Sequence, residues 1–391
     1  MTPRHAVVSG ASIAGLSAAY WLERTGWKVT VVERAPEFRD GGQNVDVRGV
    51  ARDVLARMGL FDAVRAANTT ETGAVIVDAD GRVTAELPAG PDGATAELEV
   101  LRGDLARILL DALPEETEVV YGDVVEHVDD RADGLEVVLA SGRALTADLL
   151  VVAEGVRSST RDLLLGDLVG RRPLGISMVF GTIPRTAEDD DRWRWHNAGG
   201  GRQVHLRPDN HGTTRAMFAW TSDEDLAALD RGDALARVRE RYADAGWAAP
   251  RILDGFDTSD DVYVDQLTQI RMPTWHRGRV CLVGDAAWCV TPMGGAGASL
   301  ALTSGYVLAA SLSAAASTED ALTASENWMR PLVDEVQQLP RGLIGFAYPQ
   351  TALGLRLRHL ADTVVLSRPF RPLVARVTRL AETDRELPSM A

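Results

Sequence analysis

Short apolar runs and amphipathic stretches alternate along this chain, and their character changes with position. AVVSG at 6–10 reads as a short buried strand, and IAGLSAAYWLERT at 13–25 repeats apolar positions at helical spacing. Gly26 ends that helix, and KVTVVER at 28–34 predicts the next strand. Together they form one strand–helix–strand unit of about 30 residues. AVIVDADGRVTAEL at 74–87 predicts a hairpin around Asp80-Gly81, and EVLRGDLARILLDAL at 99–113 a strand running into a helix. Residues 118–153 hold several strand-like runs, with turns at DRADG and ASGR, and end in DLLVVAEG at 148–155, a buried strand meeting a glycine. From about 171 to 270 the pattern is mostly strands, interrupted by one predicted helix at about 223–245. RVCLVGDAA at 279–287 restores the strand-to-glycine style, and from about 298 the chain reads as helical, punctuated by Pro340, Pro349, Pro369 and Pro372.

Glycine turns of one style therefore lie near 10, 154 and 284, with a strand-rich block before the last. An α/β fold assembled from distant segments accounts for this better than a string of independent domains. Composition narrows the function. The 391 residues carry a net charge of −15, which argues against a general nucleic-acid binder or a polybasic membrane anchor. Only Cys281 and Cys289 occur, without the spacing of a zinc cluster, so a reduced, cytoplasmic protein with no metal site is expected. The first strand begins at about Ala6, leaving no room for a signal peptide, and no apolar run reaches the roughly 18 residues of a membrane span.

GASIAG at 10–15 carries the first chemistry. Gly10 permits a tight strand-to-helix turn, and Gly15 permits close helix–strand packing. Ser12 takes the middle position, where its hydroxyl can reach a phosphate oxygen resting on the N–H groups that open the helix at Ile13 and Ala14. Glu33 follows Gly15 by 18 residues, at the end of the second strand, placed to accept both ribose hydroxyls of an adenosine, with Arg34 beside it as a further cofactor-binding candidate. A 2′-phosphate would be repelled there. This pattern alone does not separate NAD from FAD.

GDAAWCVTPMGGAGASLAL at 284–302 changes the picture. Asp285 ends a buried strand, and Pro292, Gly295, Ala296, Gly297 and Ala298 lead bare backbone into a long helix of small residues. Such a helix N-terminus, with about half a positive charge, seats a flat, partly anionic group. A ligand reaching from the first turn to this one fits FAD: AMP at GASIAG and Glu33, pyrophosphate or ribityl oxygens at Asp285, and the isoalloxazine beside Pro292–Ala298.

With these motifs, LRGDL at 101–105 and AEGVRSSTR at 153–161, the chain resembles the single-component FAD-dependent aromatic monooxygenases of the p-hydroxybenzoate hydroxylase type. Within them it is most similar to the compact branch holding tetracycline-inactivating monooxygenases and many actinobacterial natural-product hydroxylases. The resemblance implies a Rossmann-like FAD-binding domain built from 1–73, 99–168 and 276–325, an inserted β-sheet substrate domain from 74–98 and 169–275, and C-terminal bridging helices over 326–391. It implies that Arg102 reaches the ribityl–phosphate region and that Asp46 and Arg48 pass the flavin's reactive side. It also implies that Arg39 contacts the nicotinamide cofactor. Glu154 stands for the usual aspartate of the second turn and is carried over with it as a cofactor-binding residue. Trp288 stands where a histidine or tyrosine often follows GDAA, and an indole cannot accept a proton.

The inserted sheet would roof the flavin, and its candidate lining is Trp193, Trp195, Gln203, His205, Arg207, Phe218 and Trp220. The expected reaction takes hydride from NADPH or NADH, activates O2 as a flavin C4a-hydroperoxide and hydroxylates an aromatic or polyketide-like small molecule. No residue stands out as the base that deprotonates a phenol; His205 and His196 are the candidates, and Arg48 and His205 are the candidate catalytic residues. A halogenase would need a lysine near the substrate, and the sole lysine, Lys28, lies in the first strand–helix–strand unit. A flavin oxidase or reductase, or a non-catalytic flavoprotein, stays open as an alternative. A monomer or dimer is expected. The arginine-rich stretch 351–380 is expected to form a helix clasping both domains rather than lying on a membrane.

Overall fold

The computed structural model describes residues 3–88, 98–132, 134–340, 342–365 and 385–390. Its first layer is a six-stranded sheet in the order His276–Arg277, Val280–Leu282, Leu149–Val152, His5–Ser9, Lys28–Glu33 and Glu118–Tyr121. All neighbours pair in parallel except the terminal hairpin. Buried on both faces, the central strands are nearly continuous runs of Val, Leu and Ala. Parallel strands put their carboxyl ends on one edge, so Gly10, Glu33, Glu154 and Gly284, distant in sequence, emerge side by side.

Helix Ile13–Arg24 packs against helix Gly297–Ala314 at backbone distance. A Cβ on Gly305 would lie 2.5 Å from the Ala18 nitrogen, and the Ser17 hydroxyl donates to the Leu302 carbonyl at 2.7 Å. Helix Gly297–Ala314 is, among the described residues, long and apolar enough to cross a membrane, yet 72% of it is buried inside the protein as a core helix. Helix Thr318–Gln337 covers its other side and carries Pro331 internally.

The second layer is a seven-stranded sheet in the order Tyr263–Arg271, Gly170–Pro184, Thr213–Thr221, Arg202–Pro208, Trp193–Ala198, Gly73–Val77 and Val83–Pro88. The predicted hairpin at 74–87 joins its edge. The two-stranded ribbon Asn44–Asp46 with Glu99–Leu101 connects the layers. One face of the large sheet is covered by helices Arg231–Tyr242 and Ala249–Thr258. The single helix expected at 223–245 is shorter than that, because Asp230 caps it by accepting from the Asp233 N–H, and the second helix was not anticipated. Of the arginine-rich stretch, helix Ala352–Val365 is described, with Arg358 over the Phe346 ring, whereas Arg368, Arg371, Arg376 and Arg379 lie outside the described residues.

Candidate active site

The three glycine turns touch one another. A Cβ on Gly10, whose φ is +112°, would lie 2.5 Å from the Ala153 carbonyl oxygen, and one on Gly15 would lie 1.9 Å from the Gly10 carbonyl oxygen. A Cβ on Gly284 would lie 2.6 Å from the Ala14 Cβ. Bare backbone is therefore a packing requirement at all three positions. Ser12 is the N-cap of helix Ile13–Arg24 in extended conformation, but its side chain makes no cap hydrogen bond, and the first turn holds no acid. The Ala296 cap of helix Gly297–Ala314 likewise leaves that N-terminus uncapped by a side chain, again without an acid in the first turn. Both helix ends keep N–H groups that an anion can accept from.

Glu33 Oε2 accepts from the Ala11 N–H at 2.8 Å and Oε1 from the Ala35 N–H at 2.9 Å. Each oxygen keeps a lone pair for a ribose hydroxyl. Asp285 is solvent-accessible yet recessed in the cleft between the layers, and this desolvation raises its pKa despite the nearby Arg102. Arg102 opens its helix under the Gly42–Gln43 turn, and its N–H donates to the Gln43 carbonyl at 3.0 Å. The Tyr263 hydroxyl donates to Gln43 Oε1 and closes the cleft over that turn. Pro292 and Gly295 are exposed, Ala296 buried, and Gly297 and Ala298 half-buried around the same cleft. Thr291, before Pro292, has φ +68° and a buried hydroxyl with no partner, a strained backbone at the mouth of the helix. The glycine cradle, the open helix ends and the recessed carboxylate fit FAD. Arg34 and Arg39 are both exposed.

Asp46 pairs with Arg48 at 2.8 Å, and the Ser299 hydroxyl ties both to helix Gly297–Ala314, donating to the Asp46 carbonyl at 3.1 Å and accepting from the Arg48 N–H at 3.0 Å. Burial raises the Asp46 pKa.

Glu154 differs from expectation. Ser9 and Thr160 hydroxyls donate to its Oε1, each at 2.5 Å, while the Ser158 hydroxyl and the Thr160 N–H donate to its Oε2 at 2.8 and 3.0 Å. Four donors use a carboxylate's four lone-pair sites, so Glu154 is the lock of its own turn rather than a cofactor ligand. Glu154→Ala is expected to cost about 2 kcal/mol of stability, because three hydroxyls and an N–H lose their acceptor, while FAD content changes little. Urea unfolding together with flavin absorbance checks both.

On the large sheet, alternation separates two faces. Phe218 and Trp220 face the helices, with Phe218 against Tyr242 and Phe256 and Trp220 against Tyr242. They are core, not substrate wall; Arg215, Met217 and Ala219 take the cleft side of that strand. His196 also points away from the cleft, bonded to the carbonyls of Val77 and Ala245. The cleft face presents Trp193 and Trp195, stacked at 5.5 Å and 14°, with Asn197, Gln203, His205 and Arg207. The Trp193 indole N–H donates to His205 Nδ1 at 3.0 Å, which leaves the proton on Nε2 to donate to Gln203 Oε1 at 3.2 Å. Burial depresses the His205 pKa to about 3. With its acceptor nitrogen occupied, His205 is a neutral spacer and not a base.

Sequence reasoning named Arg207 as lining but missed the carboxylates that hold it. Arg207 lies over the Trp193 ring, and its Nε donates to Glu71 at 2.9 Å and its Nη2 to Glu99. Asn44 and the Thr69 hydroxyl donate to the other Glu99 oxygen. Trp288 turns away from this region and packs on Trp275 at 4.4 Å.

Comparison with known proteins agrees with the cleft. Residues 4–334 match the family described as FAD binding domain. An uncharacterized protein of Mycobacterium tuberculosis is 38% identical over 317 residues, covering 79% of this chain and 85% of that protein. The flavin-dependent monooxygenase eupH of a Phoma species is 36% identical over 333 residues, covering 79% and 77%. The crystal structure of tetracycline destructase Tet(55) superposes with a TM-score of 0.83 at 27% identity, covering 99% of each chain. The chain belongs to the FAD binding domain family and is an FAD-dependent monooxygenase.

Proposed function

We propose that the protein hydroxylates an aromatic or polyketide-like small molecule, using NADPH or NADH and O2. FAD, when bound, supplies hydride acceptance and oxygen activation. On this reading residues 1–73, 99–168 and 276–325 hold the cofactor, and 74–98 with 169–275 roof the substrate. The N–H groups opening helix Ile13–Arg24, with the Ser12 hydroxyl, receive the pyrophosphate, Glu33 accepts the ribose hydroxyls, and Arg102 and Asp285 line the path toward the ring. Backbone from Pro292 to Ala298 faces the ring's anionic edge. Arg48, held by Asp46 and Ser299, borders the reacting side, and Arg39 lies on the outer approach open to a nicotinamide.

One observation carries the substrate class: the stacked Trp193–Trp195 pair on the cleft face, edged by the polar groups of Asn197 and Gln203. Flat apolar walls with few fixed polar groups select a planar ring bearing oxygens. The name of the solved neighbour, a tetracycline destructase, points the same way. The test is NADPH oxidation with a panel of phenols and aromatic polyketides under isotopically labelled O2. The expected result is ligand-stimulated consumption with label in the product. Peroxide without labelled product would replace this reading by an oxidase.

A further inference from the structure

We propose that Glu71 is the proton acceptor for an acidic hydroxyl of the substrate and that Arg207 holds the resulting oxyanion. The proposal rests on the reading that a substrate lies under the large sheet. Arg207 stands on the cleft-facing side of its strand, its side chain 20% exposed, between the Trp193 ring and two buried carboxylates. Glu71 and Glu99 occupy its Nε and Nη2, and Nη1 has no partner among the described residues. A guanidinium so held offers its remaining edge to an anion in fixed orientation.

Glu71 has the complementary peculiarity. Its side chain is 1% exposed, Oε2 accepts from Arg207, and Oε1 is buried without any partner. Such an atom is costly as an orphan and is satisfied by a bound group or a proton. Burial, with Glu99 and Asp46 nearby, lifts the Glu71 pKa to about 7 against the pull of Arg207. The charged groups around it come from three elements: Arg207 from the sheet, Glu99 and Asp46 from the ribbon that joins the layers.

Charge conservation gives the arrangement its use. Substrate O–H breaks, its electron pair stays on the oxygen beside Arg207 Nη1, and the proton bonds to Glu71 Oε1. The cluster's net charge is the same before and after, so an electron-rich phenolate or enolate forms without adding charge to a poorly solvated site. Electron-rich carbon is what an electrophilic oxygen donor attacks.

The test uses the FAD-loaded full chain and 2-naphthol at mildly alkaline pH, where free Glu71 is ionised and the free probe is not. The wild type is expected to bind the probe with a naphtholate difference spectrum and no net proton release, read with a pH indicator in weak buffer. Glu71→Gln is expected to bind it as neutral naphthol, or as naphtholate with about one proton released per site. Arg207→Met is expected to weaken binding by about tenfold or more. Flavin absorbance and melting temperature verify that each variant is folded and loaded. A wild type that binds the neutral probe, fails to bind it, or releases as many protons as Glu71→Gln overturns the proposal. A chain that takes up no FAD fails the functional reading instead.

Discussion

Replacing Gly15 with alanine is expected to give a protein that purifies colourless, with an FAD dissociation constant raised by about 100-fold or more, near 3 kcal/mol. The added methyl would sit 1.9 Å from the Gly10 carbonyl oxygen and 3.2 Å from the Ala153 Cβ. Neither neighbour is a side-chain tip that can swing away. The Gly10 peptide is fixed by its N–H, which donates to the Val32 carbonyl at 2.7 Å, and Ala153 by its own N–H to the Ser9 carbonyl at 2.7 Å. Helix Ile13–Arg24 would have to lift off the sheet, taking its phosphate-directed N–H groups with it. Gly26→Ala is the control: its φ is +83°, but no atom lies within 4 Å of the added Cβ, so it costs about 1 kcal/mol and leaves the protein yellow. Flavin absorbance per protein, followed by FAD titration, separates the two. Equal affinity in wild type and Gly15→Ala would remove the first turn from the cofactor site.

Arg207→Met is expected to destabilise the fold by about 3–5 kcal/mol at neutral and alkaline pH, because Glu71 and Glu99 lose their shared cation while buried. The sign with pH follows from the direction of the Glu71 shift. Its folded pKa, about 7, already lies above the ordinary 4.5, so its favourable contribution is full below 4.5 and is lost as pH rises through about 7. Without Arg207 that pKa climbs further. The variant is therefore expected to recover much of its deficit in mild acid and to lose most above neutrality. Glu71→Gln, which mimics the protonated acid, is expected to restore part of the loss in the double variant. Chemical unfolding at several pH values measures this. A deficit independent of pH would show that Arg207 acts through packing on Trp193 alone.

The glycine turns were readable because a strand that ends in glycine beside a helix has few other physical explanations, and three of them in one style imply one shared edge. The faces of Thr213–Thr221 were not readable. Alternation assigns Phe218 and Trp220 to one side and Met217 and Ala219 to the other, and both sides are apolar. Only the helices decide which side is covered. Helix Ala249–Thr258 lay inside a block that reads mostly as strands and was not expected; its Gly255 is a packing contact, its Cβ position 2.5 Å from the Ile183 side chain. Arg207 was readable as a lining residue from the alternation of its strand, but its partners Glu71 and Glu99 had no local signal. The ion pair to Glu71 spans 136 residues, and each carboxylate alone resembles ordinary surface charge. Glu154 was legible as a carboxylate but not as one already saturated by Ser9 and its own turn.

The crossing of Ile13–Arg24 with Gly297–Ala314 leaves no side chain between the two backbones at Gly305. On the proposed reading those two rods would carry the grips for opposite ends of the coenzyme, so their spacing would work as a fixed caliper. A caliper welded at its pivot cannot widen to admit a second nucleotide. On that reading, any motion that presents the tricyclic head to its reductant would have to leave the span between the grips unchanged.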